Sequence, residues 1–137
     1  MKTIVVLTIS IVLVSVLSCH PIVMTFPSMP ADLQMVQPDP SLPKELSAFW
    51  GKWNLASGMY KVFVIVEKIG EEKASLYVWR DEEGWGGWRR VEANVIKRHG
   101  KYKLWYKAPF GEVVNTLKGE YLVSSSTRGS SKFRRVP

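Results

Sequence analysis

From Phe49 to the C-terminus, apolar and polar residues alternate in short runs. In "KASLYVWR", Ala74, Leu76 and Val78 fall on one face while Ser75, Tyr77 and Trp79 fall on the other. Further on, Val91, Ala93 and Val95 oppose Arg90, Glu92 and Asn94. A period of two is the mark of a strand with one buried face. The same pattern predicts strands at Phe49–Asn54, Met59–Ile69, Lys73–Arg80, Trp88–Lys97, Tyr102–Lys107, Glu112–Leu117, Glu120–Ser126 and Ser130–Val136. The second of these, "YKVFVIVEKI", is apolar on both faces over Val62 to Val66, which predicts a covering segment outside as well as a core inside.

Turn residues punctuate the runs at near-regular intervals. Gly58, Gly70, Gly100, Gly111, Gly119 and Gly129 sit where hairpins call for positive φ, and Pro109 before Phe110-Gly111 suits a turn start. Short antiparallel strands in this arrangement predict an all-β domain over residues 49–137: a small up-and-down barrel of about eight strands, or an open β-sandwich. Closure has the advantage of leaving no exposed strand edge.

The first 48 residues follow other rules. Met1-Lys2-Thr3 and the apolar run Ile4 to Leu17 have the form of an export signal over residues 1–18, and the run is short for a membrane span, which needs ~20 residues. An uncleaved anchor is the alternative. Six of the eight prolines lie between His20 and Ala48, and "VQPDPSLPKE" has neither helical nor strand period. Residues 19–48 therefore read as a tether, able to span ~90 Å if fully extended as polyproline. Ile22, Val23, Met24 and Phe26 are apolar enough to pack on the domain or dip into a membrane interface, and Lys44 to Phe49 has the makings of one helical turn.

Where the apolar run ends stands Cys19, the chain's single cysteine, which rules out an intrachain disulfide. Val16-Leu17-Ser18-Cys19 resembles the lipobox of bacterial lipoproteins. The resemblance implies cleavage before Cys19, diacylglycerol on its thiol and an extracytoplasmic protein held on the membrane through this N-terminal anchor. It also implies the outer membrane where there are two, since His20 replaces the Asp that marks inner-membrane retention. Two or three acyl chains hold a protein where one does so only marginally. A plain secretory signal cut near Ser18 is the other reading.

A second resemblance lies in "FWGKWN". Gly51-x-Trp53 on the first strand is similar to the lead motif of the lipocalin and wider calycin group, β-barrels that often bind small apolar molecules. It implies that Trp53 closes one end of the barrel and is packed by an arginine of the last strand, Arg134 or Arg135. Guanidinium on indole is a cation–π contact of about 0.5–2 kcal/mol.

Charge and chemistry refine this picture. The chain carries 19 Lys and Arg against 12 Asp and Glu, a net +7, which favours anionic partners. No nucleophile elbow, phosphate loop or His/Cys pair with metal spacing occurs, so no enzyme, metal site or cofactor is expected. His20 lies in the tether, and His99 in "KRHGKY" fits a hairpin tip. Asp81, Glu82 and Glu83 fit a solvated turn. Trp85 and Trp88 flank a glycine-rich loop beside Arg89, and with Tyr77 and Trp105 they are candidates for holding a small apolar or amphipathic ligand at the barrel mouth. Trp85 and Trp88 could equally plug that mouth. Lys97, Arg98, Lys101 and Lys103 form a basic hairpin beside aromatics, a combination known from single-strand binders. Export sets nucleic acid aside and leaves anionic lipid or envelope polymer, or no partner at all.

Overall fold

In a computed structural model, which describes residues 27–56, 61–81 and 85–137, eight antiparallel strands pair in chain order and close into a barrel. The strands are β1 (Gly51–Leu55), β2 (Val62–Ile69), β3 (Lys73–Arg80), β4 (Gly87–Arg98), β5 (Lys101–Ala108), β6 (Gly111–Lys118), β7 (Tyr121–Ser126) and β8 (Gly129–Val136). The barrel closes through β1 and β8, from Lys52↔Val136 to Leu55↔Phe133, so the open sandwich does not form. The expected export signal, the lipobox with Cys19, His20, the apolar residues 22–26, Gly58, Glu82 and Glu83 lie outside the described residues.

Strand parity sets the core. Trp53, Val64, Val66, Leu76, Val78, Ala93, Leu104, Leu122 and Phe133 all point inward and are almost wholly buried. Each such Leu, Val or Phe stabilises the fold by roughly 1.5–3 kcal/mol relative to exposure. One end is closed by α1 (Lys44–Ser47) and the residues around it, with Leu42, Leu46 and Phe49 buried in the same core. The helix is a single turn begun by Pro43, whose fixed φ suits a helix start.

Two expectations are corrected in detail. Phe49 and Trp50 are not yet strand: their amides donate to the Leu46 and Ser47 carbonyls, which prolongs the helical turn and delays β1 to Gly51. Gly70 does not take positive φ, because four residues, 70–73, join Ile69 to Ala74 and the turn needs no left-handed residue there. At the tight turn after β4 the left-handed pair is instead His99 (φ 51) and Gly100 (φ 73), which fits the hairpin twist.

From Ser28 onward the Pro-rich stretch is seated on the barrel as a strap across the outside of β2, β3 and β4. A bulge between Val66 and Lys68 leaves Glu67 without a partner residue on β3. The Glu67 carbonyl accepts from the Val36 amide (2.9 Å) and from Trp50 Nε1 (3.2 Å). Its carboxylate accepts from the Gln34 amide (2.8 Å) and from Arg90 Nη2 (3.0 Å). Farther along, Trp88 Nε1 donates to the Ser28 carbonyl at 2.8 Å. The outward Phe63, Ile65 and Tyr77 are buried on this side, so the doubly apolar β2 has its cover. Prolines suit such a strap, since it bonds through a few single amides and needs no continuous ladder.

Candidate binding site at the barrel mouth

The two ends of the barrel are unlike. At the closed end Arg135, paired with Trp53 across the closing seam, places Cζ 4.3 Å from the Trp53 ring centroid. The same guanidinium donates to the carbonyls of Trp50 and Ala48, joining β8 to the end of α1. Its partial burial lowers the Arg135 pKa from the ordinary guanidinium value, and it stays charged all the same. Gly51 is required here: at φ 127 it is in a region L-residues avoid, and a Cβ would stand 2.6 Å from Arg135 Nη1. Arg134, the other candidate, faces outward with Cζ 5.9 Å from Tyr121.

At the opposite end is a hollow of about 660 Å³, lined on its apolar side by Val62, Phe110 and Phe133 and on its polar side by Ser124, Ser131 and Arg128. Arg80 and Asp81 also line it. Trp85 folds back into this mouth: it is 6% exposed, donates Nε1 to the Val78 carbonyl at 3.2 Å and packs against Phe110 at 6.0 Å. Arg89, inward by its pairing with Val78, lays Cζ 4.8 Å from the Trp85 centroid and donates Nε to the Trp85 carbonyl. Arg80 and Arg128 each sit 4.7 Å from the Phe110 centroid. Three guanidiniums are thus gathered on two aromatic rings around one opening.

Below the rim the inner wall is divided. Strands β1 to β4 present Leu, Val and Ala, whereas β6, β7 and β8 carry Asn115, Ser124 and Ser131 side by side, since Asn115 pairs with Ser124 and Ser124 with Ser131. Directly opposed residues share a face, so the three form a polar row inside. Asn115 is 1% exposed, and neither its Oδ1 nor its Nδ2 meets a protein partner. Tyr106 is also inward, and burial raises its phenol pKa to about 12, with the nearby Arg80 charge opposing the rise.

The residues expected from sequence to hold a ligand are distributed over three places. Trp85 and Arg89 meet at the mouth. Tyr77 and Trp88 meet outside, edge to face at 6.4 Å beside the strap, where desolvation and then Asp32 raise the Tyr77 pKa. Trp105 stands on the outer face of β5, paired with Val114. The expected basic group divides as well: Arg98, Lys101 and Lys103 face out, while Lys97 shares the inner side with Tyr102, its Nζ 4.9 Å from that ring. Sequence reasoning missed Asn115, Ser124, Ser131, Phe110, Arg80 and Arg128. The available signal was a polar residue at an inward position of a strand.

Among the described residues, no group of three or more His, Cys, Asp or Glu is placed to hold a metal ion, and no helix is long and apolar enough to cross a membrane. No family model, no curated protein and no solved structure matches this chain.

Proposed function

We propose that the chain is a membrane-anchored extracytoplasmic lipoprotein, exported by residues 1–18 and lipidated at Cys19, whose barrel takes up a small amphipathic ligand at its open end without catalysis. On the lipobox reading the outer membrane is its place where two membranes exist. The observation that carries the binding role is the hollow of about 660 Å³. Small-molecule sites span ~300–1,000 Å³ and combine apolar walls with a few polar groups, as Val62, Phe110 and Phe133 do with the serines and arginines here. Trp85 and Arg89 stack on each other at the rim beside the hollow, and Trp53 and Arg135 join the first strand to the last at the far end, where Ala48, Trp53, Leu117 and Tyr121 line a second hollow of about 540 Å³.

Native mass spectrometry of the mature chain, before and after organic extraction, tests the role. A bound small molecule that extraction removes is the expected result, and a chain that neither carries nor takes up any amphiphile overturns it. Anchoring is tested separately by Cys19→Ala, which should release the protein from membranes and end its labelling by fatty acid.

One further observation favours a second role. Lys101, Lys103, Trp105 and Lys107 alternate with inward residues along β5, so all four face outward together. Lysines around an aromatic suit an anionic lipid surface or polymer, each cation near such a membrane contributing ~1 kcal/mol. Binding to anionic vesicles should weaken with salt and with Lys101→Glu plus Lys103→Glu; indifference to both removes this reading.

A further inference from the structure

A barrel that held only alkyl chains would need no amide in its wall. Asn115 is one, fully inside, with a donor and an acceptor that no protein group meets. A buried polar group left unpaired costs about 1–3 kcal/mol, and a leucine, similarly branched, would avoid that cost. Its surroundings are not those of a structural network: across the ladder stand Leu104 on one side and Ser124 on the other, and Ser124 lines the hollow. Asn115 does not itself line the hollow, but it stands directly beside Ser124, which does.

We propose that Asn115 is a recognition residue, and that the ligand carries a carboxamide or lactam edge which pairs with its Oδ1 and Nδ2 together, the ligand's apolar part lying against Val62 and Phe133. The inference rests on the hollow being a ligand site and adds the chemical class of what enters. An amide edge offers one donor and one acceptor side by side, the complement of what Asn115 presents. A plain acyl chain offers neither, and a carboxylate offers only acceptors. The neutral Ser124–Ser131 pair continues the same polar row, while Arg80 and Arg128, which line the same hollow, each stand over the Phe110 ring. Sites built to hydrogen-bond a ligand group discriminate strongly against isosteres lacking it, because their buried polar atoms are then left unpaired.

The test uses two probes of equal shape, octanamide and 2-nonanone, which differ in NH2 against CH3, titrated calorimetrically into the mature full chain and into Asn115→Leu. The expected result is that the substitution lowers the ratio of octanamide to 2-nonanone affinity at least tenfold and raises the melting temperature. Asn115→Ser, smaller and still polar, gives the same comparison if the leucine variant does not fold, with a fall of several-fold in the ratio. A ratio unchanged by both substitutions overturns the assignment of Asn115 while leaving the hollow a binding site. Failure of the wild-type chain to bind either probe overturns both.

Discussion

The Arg135 guanidinium lies 4.3 Å from the ring centroid of Trp53, and it does so at the seam where the last strand meets the first. Through its further bonds to Trp50 and Ala48, one side chain holds β8, β1 and the tail of α1 together. Arg135→Ala should therefore cost about 2 kcal/mol in urea unfolding, from a lost cation–π contact and lost charge-assisted hydrogen bonds. Arg135→Lys should recover less than half, since an ammonium cannot stack and bridge two carbonyls in one plane. Gly51→Ala should be comparably harmful, as the new Cβ meets Arg135 Nη1. Because the two residues touch, the double variant Gly51→Ala, Arg135→Ala should lose less than the sum of the single losses.

Glu67 ties the strap to the barrel. Removing its carboxylate leaves the Gln34 amide and the Arg90 guanidinium without that acceptor, although Arg90 is about half exposed and recovers some hydration. Glu67→Ala should cost about 2 kcal/mol, below the range for wholly buried pairs. Hydrogen exchange at the Gln34 and Val36 amides should accelerate well before that of the β6 and β7 amides. Equal acceleration everywhere would mean that the strap and barrel open as one unit.

The Tyr106 phenol, with its pKa raised to about 12, links stability to alkaline pH. An unfolded tyrosine ionises near 10, so the folded state holds its proton more tightly. The contribution is fully present below pH ~10 and is lost as pH rises to about 12, at about 1.4 kcal/mol per pH unit within that window. Tyr106→Phe should flatten this part of the stability profile between pH 10 and 12. Tyr77 is raised too, so the comparison is best made in a Tyr77→Phe background.

His99 occupies a left-handed position, φ 51, at the tip between β4 and β5. What the turn requires of His99 is its backbone conformation. His99→Asn should be neutral or stabilising by a few tenths of a kcal/mol, whereas His99→Val should cost about 1–2 kcal/mol, and thermal unfolding of the pair distinguishes a turn role from a chemical one.

The barrel was legible because its strands obey a period of two that the turns interrupt cleanly. In β3 both the bounds and the faces follow directly from Ala74, Leu76 and Val78 against Ser75, Tyr77 and Trp79. The strap was not legible, because residues 28–36 bond through isolated amides to a bulge and a carboxylate, and such contacts leave no periodic trace. Its one sign was indirect: β2 is apolar on both faces over Val62 to Val66, and the next residue, Glu67, is buried. The mouth was legible only at Trp85 and Arg89. Grouping aromatics by type drew in Tyr77, Trp88 and Trp105, which strand parity sends outside, and overlooked Asn115, whose distinction is to be polar on an inward face.

Were the chain anchored at Cys19 as proposed, the docked strap would also set how far the barrel stands from the membrane. On the proposed anchoring at Cys19, only nine residues separate the lipid from Ser28, a reach of at most ~30 Å in place of the ~90 Å of an undocked spacer. On the proposed binding role, a barrel on so short a leash would exchange its ligand with the bilayer and the layer of solvent next to it. Carriage across a wider compartment would require the strap to let go, which makes the grip of Glu67 on Gln34 and Val36 the setting of the protein's working radius.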